Sequence, residues 1–480
     1  MPENYRPIAI LPILYKLFSR VLCERVKSIL DGAQACDQAG FRSGYSCDDH
    51  LFAITMMIEI SLEWNQPLWV AAIDFKKAFD TVEHGGLWYS LIEQGVPLNY
   101  VDVLMRLYNG QRGQVRMDRD SKEFDIQRGT KQGDPISPIL FNSVLESIFR
   151  VIKRQWKTRG HGVRLRQNAS QSITNLRFAD DVLLIGKSLS EVEEMLTDLS
   201  QEAEKYGLEM HMGKTKVLWN GIGSSQPPSK LKINEQEVEI LDPHASTMYL
   251  GKSLSLTEVH DTELQHRIAR AWTKFAVYKD ELCNKKYELN HRLRLFDSVI
   301  TPTILYGSGT WTMGRDRENT LRGTQRKMLR KVLGSGRREK EPSEESASTQ
   351  ETSGDTVSQL SEKHEVETWA EWIQRVTHQV EAACRTLGVK DWVEEQRRRK
   401  WKWAGHVARR SDGRWTKEVL NWSPEGWRKR GRPVIRWSDC LDDFVSSQMG
   451  LSEKGMWEVL AQDREGWRLW TEDFATGTYA

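Results

Sequence analysis

Cysteine is scarce in this 480-residue sequence and is not arranged for metal binding or for a disulfide framework. No two cysteines form a CxxC pair, and the six stand at Cys23, Cys36, Cys47, Cys283, Cys384 and Cys440. This spacing excludes a zinc ribbon or zinc knuckle built on paired cysteines. It is typical of a protein that works in a reducing compartment.

Long hydrophobic runs and a strong charge excess are also missing. No stretch approaches the roughly 18 apolar residues that identify a membrane span, and the first residues lack the basic-then-apolar order of a signal peptide. We therefore expect a soluble protein with no membrane partner. The net charge is only +2, so any nucleic-acid-binding surface must come from a local cluster of basic residues.

Two short apolar segments carry acidic residues where a strand would end. The run Leu68–Ile73 ends at Asp74, and the run Leu176–Ile185 is interrupted by Asp180 and Asp181. The first pattern predicts a buried strand, and the second predicts a hairpin with acidic residues at its turn. Amphipathic helical segments, such as Glu191–Tyr206, alternate with these strands and indicate an α+β fold.

The three aspartates are candidate metal ligands. If they met in space, their charges would repel one another unless cations lay between them, and oxygen-only ligation favours Mg²⁺ or Mn²⁺. Two such ions can activate a 3′-hydroxyl and stabilise a leaving pyrophosphate. The alternative for Asp180 and Asp181 alone is an ordinary solvated turn.

The segments around these aspartates resemble the motifs of reverse transcriptases from non-LTR, LINE-like retrotransposons. Ala72–Asp80 is similar to motif A, Arg128–Pro138 to motif B and Phe178–Asp181 to motif C. Four further strings resemble family motifs in the same order, two in the fingers, one in motif D and one in motif E: Asn4–Ile8, Gln38–Arg42, Gly207–Met210 with Lys214–Lys216, and Tyr249–Gly251.

The resemblance implies a right-hand polymerase with partial fingers, a palm built on an antiparallel sheet and a helical thumb. Residues 1–251 would form the fingers and palm, and 252–336 the thumb-like region. Helical periodicity dominates from Leu264 to Leu333, with breaks expected at Pro302 and at Gly307–Gly309. At the C-terminal end, Trp401–His406 looks like elements of the RTE or related lineages.

The resemblance also implies roles for individual residues. Asp74, Asp180 and Asp181 would be the metal ligands, together with the backbone carbonyl of Phe75. Phe79 would place its ring beneath the sugar of the incoming nucleotide and leave no room for a 2′-hydroxyl. The alternative for Phe79 is an ordinary core position.

Other implied contacts involve the substrate, the pyrophosphate and the nucleic acid. Gln132 and Gly133 would lie against the nucleotide and template base, although their string also fits a plain Gly-Asp-Pro turn. Lys214 or Lys216 would protonate pyrophosphate, and the spacing does not decide between them. The remaining implied contacts are Arg42 to phosphate and Tyr249, Leu250 and Gly251 to nucleic acid.

Beyond a predicted acidic linker at 337–368, the region 369–480 is rich in tryptophan and locally basic. Arg397–Trp437 contains fourteen Lys and Arg against three Asp and Glu, a difference of +11. Such a segment can bind phosphates and stack bases; alternatively, the tryptophans form a small core. The candidate nucleic-acid-binding residues here are Arg397, Arg398, Arg399, Lys400, Trp401, Trp403, Arg430 and Arg432.

These observations predict an RNA-directed DNA polymerase that uses Mg²⁺ or Mn²⁺, dNTPs, an RNA template and a DNA primer or target. We expect it in the nucleus and also in the cytoplasm. The sequence shows no endonuclease ahead of the polymerase motifs, so a separate endonuclease is an expected partner. The competing interpretation is a truncated, inactive remnant that only binds nucleic acid.

Overall fold

The computed structural model describes residues 8–116, 120–165, 172–223, 227–338, 366–431, 434–450 and 453–477. Three sequence-based assignments therefore fall wholly or largely outside the described residues: the finger string that begins at Asn4, most of the acidic linker, and Arg432. Within the described ranges, no helix is long and apolar enough to cross a membrane.

Helices account for most of the regular structure. In chain order they are α1 (Ile13–Ala33), α2 (Cys47–Glu63), α3 (Ala78–Thr81), α4 (His84–Glu93), α5 (Leu98–Tyr108), α6 (Ser137–Arg159), α7 (Leu189–Glu204), α8 (Val259–Val277), α9 (Lys279–Cys283), α10 (Leu289–Ile304), α11 (Arg315–Leu333), α12 (Trp369–Leu387), α13 (Trp392–Ala408), α14 (Trp415–Leu420), α15 (Asp439–Met449), α16 (Met456–Leu460), α17 (Arg464–Leu469) and α18 (Thr471–Thr476).

The strands are short and concentrated in the first half of the chain. They are β1 (Trp69–Ile73), β2 (Arg112–Gly113), β3 (Phe124–Asp125), β4 (Val163–Arg164), β5 (Ser172–Ile173), β6 (Asn175–Phe178), β7 (Asp181–Gly186), β8 (Lys216–Trp219), β9 (Lys230–Ile233), β10 (Gln236–Ile240), β11 (Thr247–Tyr249) and β12 (Lys252–Leu254).

The largest sheet in the described part of the chain has the order β6-β7-β1-β8-β10-β9. Its pairs are antiparallel except for the parallel pair of β8 and β10. The strand pairs β2–β3, β4–β5 and β11–β12 form three separate two-stranded sheets. The α+β fold with an antiparallel palm sheet is confirmed.

Strand β1 is apolar along its whole length because both faces of the sheet are covered there. On β1, Trp69, Ala71 and Ile73 join the main hydrophobic cluster with residues of α6 and α7. Val70, whose side chain points to the other face, is fully buried as well. A continuous apolar run rather than an alternating pattern is the expected signature of such a strand.

Most sequence-based elements agree with the structure, and one predicted break is wrong. The strand at Leu68–Ile73, the hairpin around Asp180 and the helix over Glu191–Tyr206 are all present. Pro302, however, lies inside α10. The helix ends two residues later at Ile304, so Pro302 lies in its last turn. The missing N–H there removes one helical hydrogen bond but does not end the helix at Pro302. The chain turns at Gly307, whose φ is +65°.

The chain divides into two compact units that differ from the sequence-based division. One unit contains residues 1–263, 310–312 and 403–467, and the other contains 264–309, 313–402 and 468–480. The region 369–480 is therefore not a separate body. Its part from Trp403 to Trp467 belongs to the same unit as the sheet.

Tryptophans of this C-terminal part pack around α2 in that unit. Phe52 of α2 contacts the rings of Trp403 at 5.9 Å and Trp437 at 4.7 Å between centroids. Trp437 in turn meets Trp457 at 6.0 Å. Because Trp437 is only 1% exposed, these rings form a core, and packing rather than base stacking accounts for these three tryptophans.

We predict that Trp437→Ala destabilises the protein by about 3–5 kcal/mol, since it empties a buried aromatic site. Trp427→Ala is the matched control, because Trp427 is 91% exposed and its removal should change stability by less than about 0.5 kcal/mol. Urea denaturation followed by far-UV circular dichroism measures both. Equal effects of the two substitutions would contradict the core role of Trp437.

Candidate active site

Pairing of β1 with β7 brings two of the predicted metal ligands together. The last paired residues are Ile73 and Val182, so Asp74 and Asp181 occupy the next position along the two neighbouring strands. Phe178 pairs with Asp181 across the hairpin, which leaves Ala179 and Asp180 as a two-residue turn. The three aspartates therefore lie at one end of β1 and the β6–β7 hairpin.

The turn that carries Asp180 is held by the Gln38–Arg42 segment. Ala179 has a left-handed φ of +55°, and its N–H donates to Gln38 Oε1 at 3.0 Å. The N–H of Gly40 donates to the same oxygen at 2.9 Å. A side chain at Gly40 would overlap the backbone nitrogen of Ala179, so glycine there allows the close approach.

The segment 209–211, which follows α7, is hydrogen-bonded to the backbone around Asp74. The N–H of His211 donates to the carbonyl of Asp74 at 2.7 Å, and the N–H of Lys76 donates to the carbonyl of Glu209 at 2.8 Å. In this antiparallel bridge between Phe75 and Met210, the peptide groups of Phe75 point away from the segment. Its carbonyl is thus directed away from residues 209–211, as a role in metal binding requires.

The two candidate lysines of motif D have different surroundings. Lys214 Nζ lies 3.5 Å from Asp74 Oδ2, and 66% of its side chain is exposed. Lys216, on β8, instead contacts Glu239 at 2.6 Å. The structure places Lys214 beside the acidic residues and pairs Lys216 elsewhere on the sheet.

Across the described part of the chain, no three His, Cys, Asp or Glu side chains are arranged as a preformed metal site. The donor set nevertheless fits a hard cation. Asp74 is about half exposed, and the ammonium of Lys214 already lies against it as a counter-charge. The carboxylates of Asp180 and Asp181 are at least partly accessible, so divalent cations could reach all three.

The loop before α6 is fixed to the motif A segment. Gln132 Nε2 donates to both carboxylate oxygens of Asp80, at 3.1 and 3.3 Å. The N–H of Gly129 donates to the carbonyl of Val82 at 2.7 Å. Gly133 has φ +106°, a conformation that strongly favours glycine. The loop therefore has defined hydrogen bonds and a backbone that favours glycine, unlike a generic turn.

Phe79 lies between these two segments. Its ring stacks on Phe141 of α6 with centroids 4.3 Å apart, and its carbonyl accepts a hydrogen bond from the N–H of Thr130 at 2.6 Å. The ring is only partly buried. Phe79 therefore packs against the core and stays partly exposed, and its role toward the sugar stays a prediction.

The sequence-based reasoning did not single out Asp134, which anchors α1 to the same loop. This buried carboxylate accepts hydrogen bonds from the hydroxyls of Ser19 and Tyr15, the latter at 3.0 Å. Tyr15 also accepts from Lys131 Nζ at 2.9 Å. An acidic residue within the motif B string followed by Pro135 was the only available signal.

Tyr249, Leu250 and Gly251 form the turn of the β11–β12 hairpin, with positive φ at Leu250 and Gly251. Tyr249 is buried, and its hydroxyl lies 3.4 Å from Nδ1 of His50. Burial raises the pKa of Tyr249 well above its usual value, and the charge of Asp181 raises it further. Burial also lowers the pKa of His50 to about 3. The hairpin is therefore close to the aspartates, while Tyr249 itself is inaccessible.

Arg42, the predicted phosphate contact, is bonded to the backbone of its own segment, and its contact with phosphate stays a prediction. Its guanidinium donates to the carbonyls of Ala35 at 2.7 Å, Gln38 at 3.0 Å and Asp31 at 3.0 Å. Only 11% of the side chain is exposed. Arg42 stabilises the chain around Gln38 and so supports the Asp180 turn indirectly.

The predicted nucleic-acid contacts at the start of the basic segment are corrected. Arg397 forms a bidentate pair with Glu318 at 2.9 Å, Arg398 pairs with Glu472 at 2.8 Å, and Arg399 pairs with Glu395 at 3.1 Å. These charges are balanced within their own unit. The remaining members of this group, Lys400, Trp401 and Trp403, are buried at 2%, 1% and 9% exposure.

A shorter basic loop remains available for binding. Trp427, Lys429 and Arg430 are exposed, whereas Arg428 and Arg436 pair with Glu63 at 3.4 and 2.5 Å. Among the described residues predicted to bind nucleic acid in the basic segment, Arg430 is exposed, whereas Arg398 and Arg399, with 21% and 34% side-chain exposure, are paired with carboxylates.

Comparison with known proteins agrees with this geometry. A family model described as reverse transcriptase (RNA-dependent DNA polymerase) matches residues 2–253. A putative uncharacterized transposon-derived protein from Caenorhabditis elegans is 31% identical over 303 residues, which cover 62% of this chain and 94% of that protein. The chain belongs to the reverse transcriptase family.

Two relatives from Drosophila melanogaster indicate which reverse transcriptases this chain is similar to. The Retrovirus-related Pol polyprotein from type-2 retrotransposable element R2DM is 27% identical over 52% of this chain and 22% of its own length. The probable RNA-directed DNA polymerase from transposon X-element is 25% identical over 69% of this chain and 36% of its own length. The resemblance to non-LTR retrotransposon reverse transcriptases is confirmed, although this chain spans only 22% and 36% of the length of these two relatives.

Membership in this family carries two general requirements. Reverse transcriptases depend on divalent metal ions and act on an RNA template with a nucleic-acid primer. The positions of Asp74, Asp180 and Asp181 at one end of the sheet fit the first requirement.

Proposed function

We propose that this chain is an RNA-directed DNA polymerase that adds dNTPs to a primer 3′-hydroxyl on an RNA template, with Mg²⁺ or Mn²⁺ as its metal. The observation that carries the proposal is the register of β1 and β7, which puts Asp74 next to Asp181 beside the Asp180 turn. In the reaction the primer 3′-oxygen bonds to the α-phosphorus, and pyrophosphate leaves.

Asp74, Asp180, Asp181 and the carbonyl of Phe75 would hold the metal ions. When bound, such ions supply positive charge that favours deprotonation of the primer hydroxyl and stabilises the leaving pyrophosphate. Lys214 is the better candidate for the proton donor to pyrophosphate, because it lies beside Asp74 while Lys216 pairs with Glu239. Lys214 is also exposed enough to move toward a phosphate.

The motif B loop and Phe79 would define the nucleotide site. The hydrogen bonds of Gln132 to Asp80 hold the loop at the start of the helix that carries Phe79. Gly133 has no side chain to separate a base from the backbone. Phe79 then limits the space beneath the sugar.

The second candidate is an inactive element remnant that only binds nucleic acid. The basic segment was the main sequence feature in its favour, and much of that charge is paired internally. The complete set of catalytic-type residues, from Asp74 to Asp181, favours the polymerase.

Extension of poly(rA)/oligo(dT) with dTTP and Mg²⁺ or Mn²⁺ tests the polymerase proposal. We predict that the purified chain extends the primer and that Asp180→Asn reduces extension by at least about 10³-fold, because a metal ligand loses its charge. Asp102→Asn is the control, since Asp102 is exposed on α5 and pairs with Arg106 one turn along the same helix. Absence of extension by the unmodified chain would favour the remnant.

Discrimination between sugars tests the placement of Phe79. Phe79→Ala should accept rNTPs with an efficiency closer to that for dNTPs, by about 10-fold or more, because the space for a 2′-hydroxyl opens. Single-nucleotide incorporation with dTTP and UTP measures the ratio of kcat/KM values. Phe141→Leu, which alters only the stacking partner, should keep the preference for dTTP; an unchanged ratio in Phe79→Ala would show that another residue excludes the hydroxyl.

The proposal also covers the location of the protein in the cell and the source of its DNA primer. We propose that the protein acts in the nucleus on chromosomal DNA ends, with the cytoplasm as a second location, and that a separate endonuclease supplies the nick. The exposed Lys429 and Arg430 suit an import signal better than Arg397–Lys400, whose charges are paired or buried. Placement in the RTE lineage rests on the Trp401–His406 string.

A further inference from the structure

A basic cleft lies at the end of α6 opposite the motif B loop. Among the described residues, its cavity of about 410 Å³ is lined by six cationic or potentially cationic side chains and by no acidic one. The six are Arg150, Lys153, Arg154, Lys157, His161 and Arg164.

The cleft lies far along α6 from the motif B loop. That helix begins at Ser137, directly after the loop, and Arg150–Lys157 lies about 20–30 Å further along it at 1.5 Å per residue. A nucleotide held against the motif B loop would therefore not occupy the cleft. The proposed polymerase function does not account for this concentration of charge.

Part of the basic lining is structural and gives the cleft a fixed floor. Lys153 pairs with the buried Asp37, which also accepts a hydrogen bond from the indole N–H of Trp415 at 2.7 Å. The fully buried Arg177 contacts Glu146 at 2.9 Å and Asp37 at 3.7 Å. These pairs leave no acidic charge facing the cavity.

Three other cations at the cleft are left to bind something else. Arg154, Lys157 and Arg164 are exposed, and within the described ranges none of them has a carboxylate partner. The neighbouring residues 166–171 contain no Asp or Glu in their sequence. An exposed cation usually needs no explanation, but three around one cavity without counter-charges make a phosphate site.

The arrangement fits a strand of phosphates better than a single one. Arg154 and Lys157 lie three residues apart on one side of α6, and Arg164 lines the same cavity from β4. Arg150, one turn earlier on α6, is already paired with Glu93 and Glu146.

Ser172 and Thr174 add hydroxyl groups to the lining. Trp415 also lines the cavity, but it is buried and its indole N–H is bonded to Asp37. Several cations along one groove are a usual way of binding the backbone of unpaired nucleic acid.

We propose that this cleft binds the phosphate backbone of single-stranded RNA and so holds part of the RNA away from the polymerase centre. The ligand is recognised by its spaced phosphates and not by its base sequence, because the cleft supplies charge and hydroxyl groups rather than a set of buried amide groups. RNA binding here is a second activity, separable from nucleotide addition.

The test uses the full chain with Arg154→Gln, Lys157→Gln and Arg164→Gln combined, and fluorescence anisotropy with a labelled oligo(rU). We expect at least about tenfold weaker binding, and a slope of log K against log salt that is flatter by about 2, since each phosphate contact contributes about 0.7. Lys157→Gln alone should flatten the slope by about 0.7. Unchanged far-UV circular dichroism and melting show that the variants are folded.

A matched control removes three other exposed cations of the same unit. Lys205, Lys230 and Lys232, replaced together by Gln, lose the same charge outside the cleft, and they should bind oligo(rU) like the unmodified chain. Equal weakening in both triple variants would overturn the proposal, because net charge alone would then explain it. Competition by AMP as strong as by oligo(rU) would also overturn it, in favour of a mononucleotide site.

Two further measurements separate this proposal from the polymerase activity. Asp180→Asn should bind oligo(rU) as tightly as the unmodified chain, and the cleft variant should retain extension of a short poly(rA)/oligo(dT). Loss of RNA binding in Asp180→Asn with none in the cleft variant would place the RNA at the aspartates alone and overturn the proposal.

Discussion

The register between β1 and β7 is the constraint on which the rest of the site depends. Pairing of Ile73 with Val182 makes Asp74 the neighbour of Asp181, and a slip of one residue would turn the side chains of a whole strand to the opposite face. Most side chains of these strands are buried and closely packed, so a slip would put residues of the wrong size into each other's surroundings, for example Trp69 into those of Val70. Core packing therefore sets the positions of the carboxylates.

The parts predicted correctly from the sequence are those with a local signature. One apolar run ends at Asp74, and a second is interrupted at Asp180. These patterns predict where the strands end, and the structure contains them as β1 and the β6–β7 hairpin. Order along the chain and the resemblance to reverse transcriptase motifs then linked the two. The resulting α+β palm is correct because its elements each bury a recognisable face.

The parts that were missed depend on partners far apart in the sequence. Arg436 pairs with Glu63 and Trp437 packs on Phe52, although several hundred residues separate the members of each pair. A count of basic residues shows charge but not its counter-charge, so paired arginines such as Arg397 resembled a binding surface. For the same reason, the hydrogen bond between Gln38 and the Ala179 turn could not be predicted from the sequence.

The central claim is that Asp74, Asp180 and Asp181 bind divalent cations together. Crystals of the protein with template, primer, a non-hydrolysable dNTP analogue and Mn²⁺, measured at the manganese absorption edge, test it most directly. The account predicts an anomalous peak within about 2.0–2.5 Å of carboxylate oxygens from Asp74 and Asp180, lost in Asp180→Asn. Manganese bound only elsewhere, with these carboxylates uncoordinated, would contradict the account.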